Sequence, residues 1–104
     1  MKYAAVFVTV SNIKEAKKIA DAVAKERLAA CANIVKNVES IYWWQGKIEK
    51  SSEVLVMMKT KISLSKKLIK KIKSLHSYKV PEIIFLPIID GNPDYLKWIE
   101  DETK

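Results

Sequence analysis

Apolar and polar positions fall into two kinds of pattern along this chain, and together they predict seven elements. Residues 3–10, YAAVFVTV, are apolar and rich in β-formers, the signature of a buried strand. Ser11 and Asn12 interrupt it. Asn12 with Glu15 three residues later has the form of a capping box, so a helix begins there and runs to about Arg27. Ile13, Ala16, Ile19, Ala20 and Val23 give that helix one apolar face. Residues 29–44 form a long extended segment, and 48–61 its antiparallel partner, joined through Gln45-Gly46-Lys47 with Gly46 at a left-handed turn position. Ser63 is placed to cap a second helix over 64–75, on which Leu64, Leu68, Ile72 and Leu75 mark the core stripe. A loop containing Pro81 follows. Residues 82–89, EIIFLPII, make a last strand, which Pro87 assigns to an edge. Asn92-Pro93-Asp94 opens a final helix, whose Tyr95, Trp98 and Ile99 are expected to face inward.

The order is βαββαβ with one further helix. Right-handed crossovers put the first two helices on one face of a four-stranded antiparallel sheet, the ferredoxin-like α+β arrangement. The other sheet face is left bare, yet Val54-Leu55-Val56-Met57-Met58 is apolar on both sides. The hairpin is also too long for the body. Sixteen extended residues span roughly 50 Å, whereas a 100-residue domain has a radius of gyration of about 13 Å. Its far end carries Tyr42, Trp43 and Trp44. Clustered exposed aromatics mark an interface, so a second copy of the chain is the expected cover.

Composition narrows the class. At 104 residues, 49% hydrophobic and 30% charged, with 2 Gly and 3 Pro, the chain reads as one folded domain, residues 1–104, and not as a disordered or collagen-like segment. Cys31 is the only cysteine, which excludes an intrachain disulfide. The longest uncharged run, Tyr3–Ile13, falls short of a membrane span, and no leader pattern opens the chain, so the expectation is a cytoplasmic protein. Nearly all the basic residues are Lys and Gln45 is the only Gln, a usage seen in thermophile proteins. The net charge of +7 is concentrated in Lys59–Lys79, which holds eight lysines and no acid. Those of its helix lie off the apolar stripe and no arginine joins them. The block reads as a solvated helix face and not as a specific nucleic-acid site.

Five motifs, in order, resemble the CutA family of divalent cation tolerance proteins. They are Cys31-Ala32-Asn33-Ile34, the run Ser40–Ile48, Glu53 followed by Lys59-Thr60, His76-Ser77-Tyr78 leading to Pro81-Glu82-Ile83, and Asp94–Trp98. The resemblance runs essentially end to end. It implies a ferredoxin-like subunit in a tight homotrimer, with hairpins interlocking around a three-fold axis as in the PII signalling trimers. It also implies a cytoplasmic role in tolerance of divalent metals, notably copper, and no enzymatic reaction.

Candidate chemistry is then assigned by residue. Cys31 and His76 are a thiolate and an imidazole suited to copper, though 45 residues apart and outside any local ligand motif. Where some family members carry a Cys and a second His, this chain has Val8 and Leu75. Met57 and Met58 read as core packing. Tyr42, Trp44, Glu53, Lys59, His76, Tyr78 and Glu82 combine aromatic walls with a few charges, the make-up of a small-ligand pocket. The resemblance sets them near subunit boundaries, and Cys31, Asn33 and Trp98 belong to the same matched motifs. The bland alternative is that pairs such as Glu53–Lys59 only satisfy one another in an interface. No nucleophile elbow, phosphate loop or catalytic carboxylate pair is present, so no enzyme is expected. Three functions follow as candidates: a trimeric binder of a divalent cation or small ligand at its interfaces, a PII-like module relaying an anionic ligand to a protein partner, and a passive scaffold.

Overall fold

In the computed structural model, which describes residues 1–104, the elements run β1 (Tyr3–Val10), α1 (Ile13–Lys25), β2 (Cys31–Trp44), β3 (Lys47–Lys61), α2 (Ser65–Leu75), β4 (Ile83–Pro87) and α3 (Pro93–Glu102). The sheet order is β2-β3-β1-β4 and every pairing is antiparallel. This is the ferredoxin-like α+β fold with α3 appended.

Alternation builds the core. Val6, Val8 and Val10 of β1 and Val54, Val56 and Met58 of β3 are buried, and they pack against Ala16, Ile19 and Val23 of α1 and Leu68 and Ile72 of α2. Asn12 starts α1 as expected, its side chain accepting from the Glu15 amide at 2.8 Å. The Glu15 side chain does not close a reciprocal box. It turns instead toward His76. Asn92 caps α3 by accepting from the Asp94 amide at 3.0 Å, with Pro93 in the first turn.

Three local expectations are corrected. Ser63 caps nothing, because a single 3-10 turn over Ile62–Leu64 precedes α2 and delays its start to Ser65. Strand β2 begins at Cys31, since residues 26–30 close α1 instead, with Arg27 in the left-handed region at φ 56°. Tyr95 and Trp98 do not face inward: only Ile99 of that trio is buried, while Tyr95 and Trp98 are 42% and 38% exposed. Helical spacing put the three on one side of α3, but the helix seats only that side's edge on the sheet.

The hairpin outruns the body. Strand β1 pairs with β3 only from Val54 to Lys61, so β2 and β3 continue alone from Val38–Glu53 to Trp44–Lys47. The molecule measures 43 × 25 × 23 Å as a result. Gln45 (φ 50°) and Gly46 (φ 79°) are both left-handed, the requirement of a tight two-residue hairpin turn.

One irregularity decides which side chains share a face. Val35 pairs with Leu55 but Val38 pairs with Glu53, so Lys36 and Asn37 make a β-bulge, with Asn37 at φ 61°. Odd-numbered β2 residues lie on the open face before the bulge and even-numbered ones after it. Cys31, Asn33, Tyr42 and Trp44 therefore look out from the same face as Glu53 and Lys59. Helix α3 covers one end of this face. Glu100 there accepts from Tyr3 and pairs with Lys61. Phe7, Leu55 and Met57 stay half-buried beyond it, and Val35, Ile84 and Leu86 stay exposed.

Candidate functional site

Two groups of polar side chains form on the open face, at opposite ends. The first surrounds a cleft of about 660 Å³ between the hairpin, the end of β1 and the loop after α2. Tyr42, Trp44, Glu53, Tyr78 and Glu82 line it, as the sequence led one to expect. Thr9, Glu39 and Lys79 also line it and carried no sequence signal, because the cleft is assembled from segments distant in the chain.

The 76–82 loop is fixed by polar bonds. The His76 side chain is completely buried. Its Nε2 lies 2.8 Å from the Thr9 carbonyl oxygen, which can only accept, so Nε2 carries the hydrogen. Its Nδ1 accepts from the Tyr78 amide at 3.0 Å. The rings of His76 and Tyr78 meet at 4.8 Å. Tyr78 then donates its hydroxyl to Glu53 Oε2 at 2.7 Å. Burial, followed by the Glu53 carboxylate, pushes the Tyr78 phenol well above its ordinary value, which keeps it a donor. Thr9 donates its hydroxyl to Glu82 at 3.3 Å, and Ser51 donates to Tyr42 at 3.3 Å. His76 thus holds the cleft's wall without lining it.

The second group lies at the α3 end. Lys59 donates to Asn33. The Cys31 thiol is 4.0 Å from the Asn33 side-chain oxygen and 3.8 Å from the Tyr95 hydroxyl. Burial, then the neighbouring thiol, raises the Tyr95 phenol. Tyr95 stacks on Trp98 with centroids 5.3 Å apart. Cys31 is half-buried in the single chain. Two expectations change here. Lys59 pairs with Asn33 and not with Glu53. Cys31, Asn33, Lys59 and Trp98 do not share the cleft of the other candidates.

A metal finds no ligand set within one chain. Cys31 stands opposite Lys59, which stands opposite Ala5, while His76 binds at Thr9, four residues or roughly 13 Å further along β1. Both His76 nitrogens are engaged, and nowhere do three His, Cys, Asp or Glu side chains converge as a metal site. Val8 and Met58 are fully buried core.

An elongated hairpin on a ferredoxin-like core, with a cleft at its root, defines a small α+β class. The chain belongs to the CutA1 divalent ion tolerance family, whose model matches residues 4–102. The mouse protein CutA is 51% identical over 100 residues, covering 96% of this chain and 56% of that protein. The chain accordingly spans just over half the length of the first curated relatives it matches. The solved structure of the divalent cation tolerance protein from Thermus thermophilus is 44% identical, with a TM-score of 0.96 over 98% of this chain and 99% of that one. A structure from Archaeoglobus fulgidus, described as a periplasmic divalent cation tolerance protein, is 32% identical, with a TM-score of 0.94 over 98% and 99%. No helix of this chain is long and apolar enough to cross a membrane.

Proposed function

We propose that this chain works as a homotrimer in cellular tolerance of divalent cations, binding a small ligand or cation in clefts at its subunit boundaries. The cleft carries this reading: it is built from the unsupported part of the hairpin and opens on a sheet face that the chain leaves half-uncovered. The exposed Val35, Ile84 and Leu86 and the tip aromatics supply apolar area for a neighbouring copy. Any metal would need side chains from such a neighbour, because one chain offers no converging set. The cytoplasm is the compartment proposed. The PII-like alternative of an anionic ligand is less favoured, since Glu53 and Glu82 outnumber Lys79 on the cleft wall. No catalytic step is proposed.

Sedimentation at micromolar protein, followed by calorimetric titration of the assembled species with copper(II) or zinc, tests the reading. A trimer with saturable binding is the expected result. A well-folded monomer would remove the boundary cleft. Copper binding left intact in His76→Ala would agree with His76 being a structural residue.

A further inference from the structure

Charge in the cleft runs against charge in the rest of the molecule. The chain carries +7, yet the cleft wall holds two carboxylates, Glu53 and Glu82, against one lysine. Glu53, at 6% exposure, is the more deeply set of the two. Its one hydrogen bond within the chain comes from Tyr78. No Lys, Arg or His nitrogen lies within ion-pair distance of it. Buried carboxylates are ordinarily matched by a cation or by several donors. One phenol leaves most of Glu53's acceptor capacity unused.

A bare metal ion does not fit this site. The carboxylates do not converge, and about 660 Å³ is the size of a site for an organic molecule. Tyr42 and Trp44, two residues apart on β2, share one face of the strand and stand along the cleft. Aromatic faces attract cations and also bury apolar groups.

We propose that the cleft takes an organic cation, with a primary ammonium or guanidinium set against Glu53 and an apolar body lying along Tyr42 and Trp44. Glu82 adds to the negative field there. This rests on the reading of the cleft as a ligand site. The ammonium would complete Glu53's hydrogen bonding while Tyr78 keeps the carboxylate oriented.

Three probes that share a phenol ring and differ in charge test the inference on the assembled protein: tyramine, 4-ethylphenol and 4-hydroxyphenylacetate. By calorimetry, tyramine is expected to bind most tightly and the acid least. Glu53→Gln, which can still accept from Tyr78, should weaken tyramine about tenfold or more and leave 4-ethylphenol unchanged. Glu82→Gln, on an exposed side chain, should weaken tyramine by less, and it serves if Glu53→Gln fails to fold. Equal binding of all three probes, or preference for the acid, overturns the proposal. Saturable copper(II) binding with no tyramine binding also overturns it, but leaves the broader cleft reading standing. Silence from every probe, copper(II) included, removes both.

Discussion

Two residues show how position sets chemistry. Glu100 pairs with Lys2 at 3.2 Å, accepts from Tyr3 at 3.0 Å and pairs with Lys61 at 3.3 Å. Hydrogen bonds from Lys2, then Tyr3, then Lys61, hold its carboxyl below the ordinary 4.5. A depressed folded value means that its contribution to stability is full above that ordinary value and is lost as pH falls through the lower one. Urea midpoints should therefore fall less between pH 5 and pH 3 in Glu100→Gln than in the parent; equal falls would contradict this. Cys31 supplies a second test. Its thiol is half-buried in one chain, beside Asn33 and Tyr95, so a dissociated subunit should be modified readily by a thiol reagent. In the proposed trimer the reaction should be slow. Fast modification of assembled protein would place Cys31 away from any covering neighbour.

Among the elements, those with local signals were legible in the sequence. Asn12 and Asn92 cap the helices they were assigned to, and Pro87 ends a strand at the sheet edge. Signals that depend on distant partners were not legible. Helical spacing grouped Tyr95, Trp98 and Ile99 but could not say how much of that side the sheet would reach. Five cleft residues were anticipated, whereas Thr9 and Lys79 enter only because the loop after α2 closes over the end of β1. The bulge at Lys36-Asn37 was invisible, because an extra residue in a strand leaves no periodic mark longer than itself. It yields a test. Asn tolerates the left-handed conformation that Asn37 adopts, and Gly tolerates it better. Asn37→Gly should leave stability nearly unchanged in chemical denaturation. Asn37→Val should cost about 1–2 kcal/mol, and an equal effect of the two would argue against a strained bulge.

At the scale of the whole molecule, an arm reaches beyond the part of the chain that stabilises it. Trp43 and Ile41 are 72% and 68% exposed, and Trp44 is partly so. Burying a large aromatic contributes roughly 1.5–3 kcal/mol, and a three-fold assembly repeats that gain in every subunit. Trp44→Ala is expected to lower the melting temperature and to shift sedimentation toward smaller species as protein is diluted. A variant as stable and as associated as the parent would exclude the tip from the interface. The bulge also divides the arm into two independent readings of one strand. Before it, the alternation answers to this chain's own sheet; after it, the alternation answers to whatever lies beyond. Removing one residue there would restore a regular ladder and leave Trp44 opposite Lys47, whereas straightening the bulge with every residue kept would turn Trp43 to where Trp44 and the cleft now are, without moving a single valine of the core.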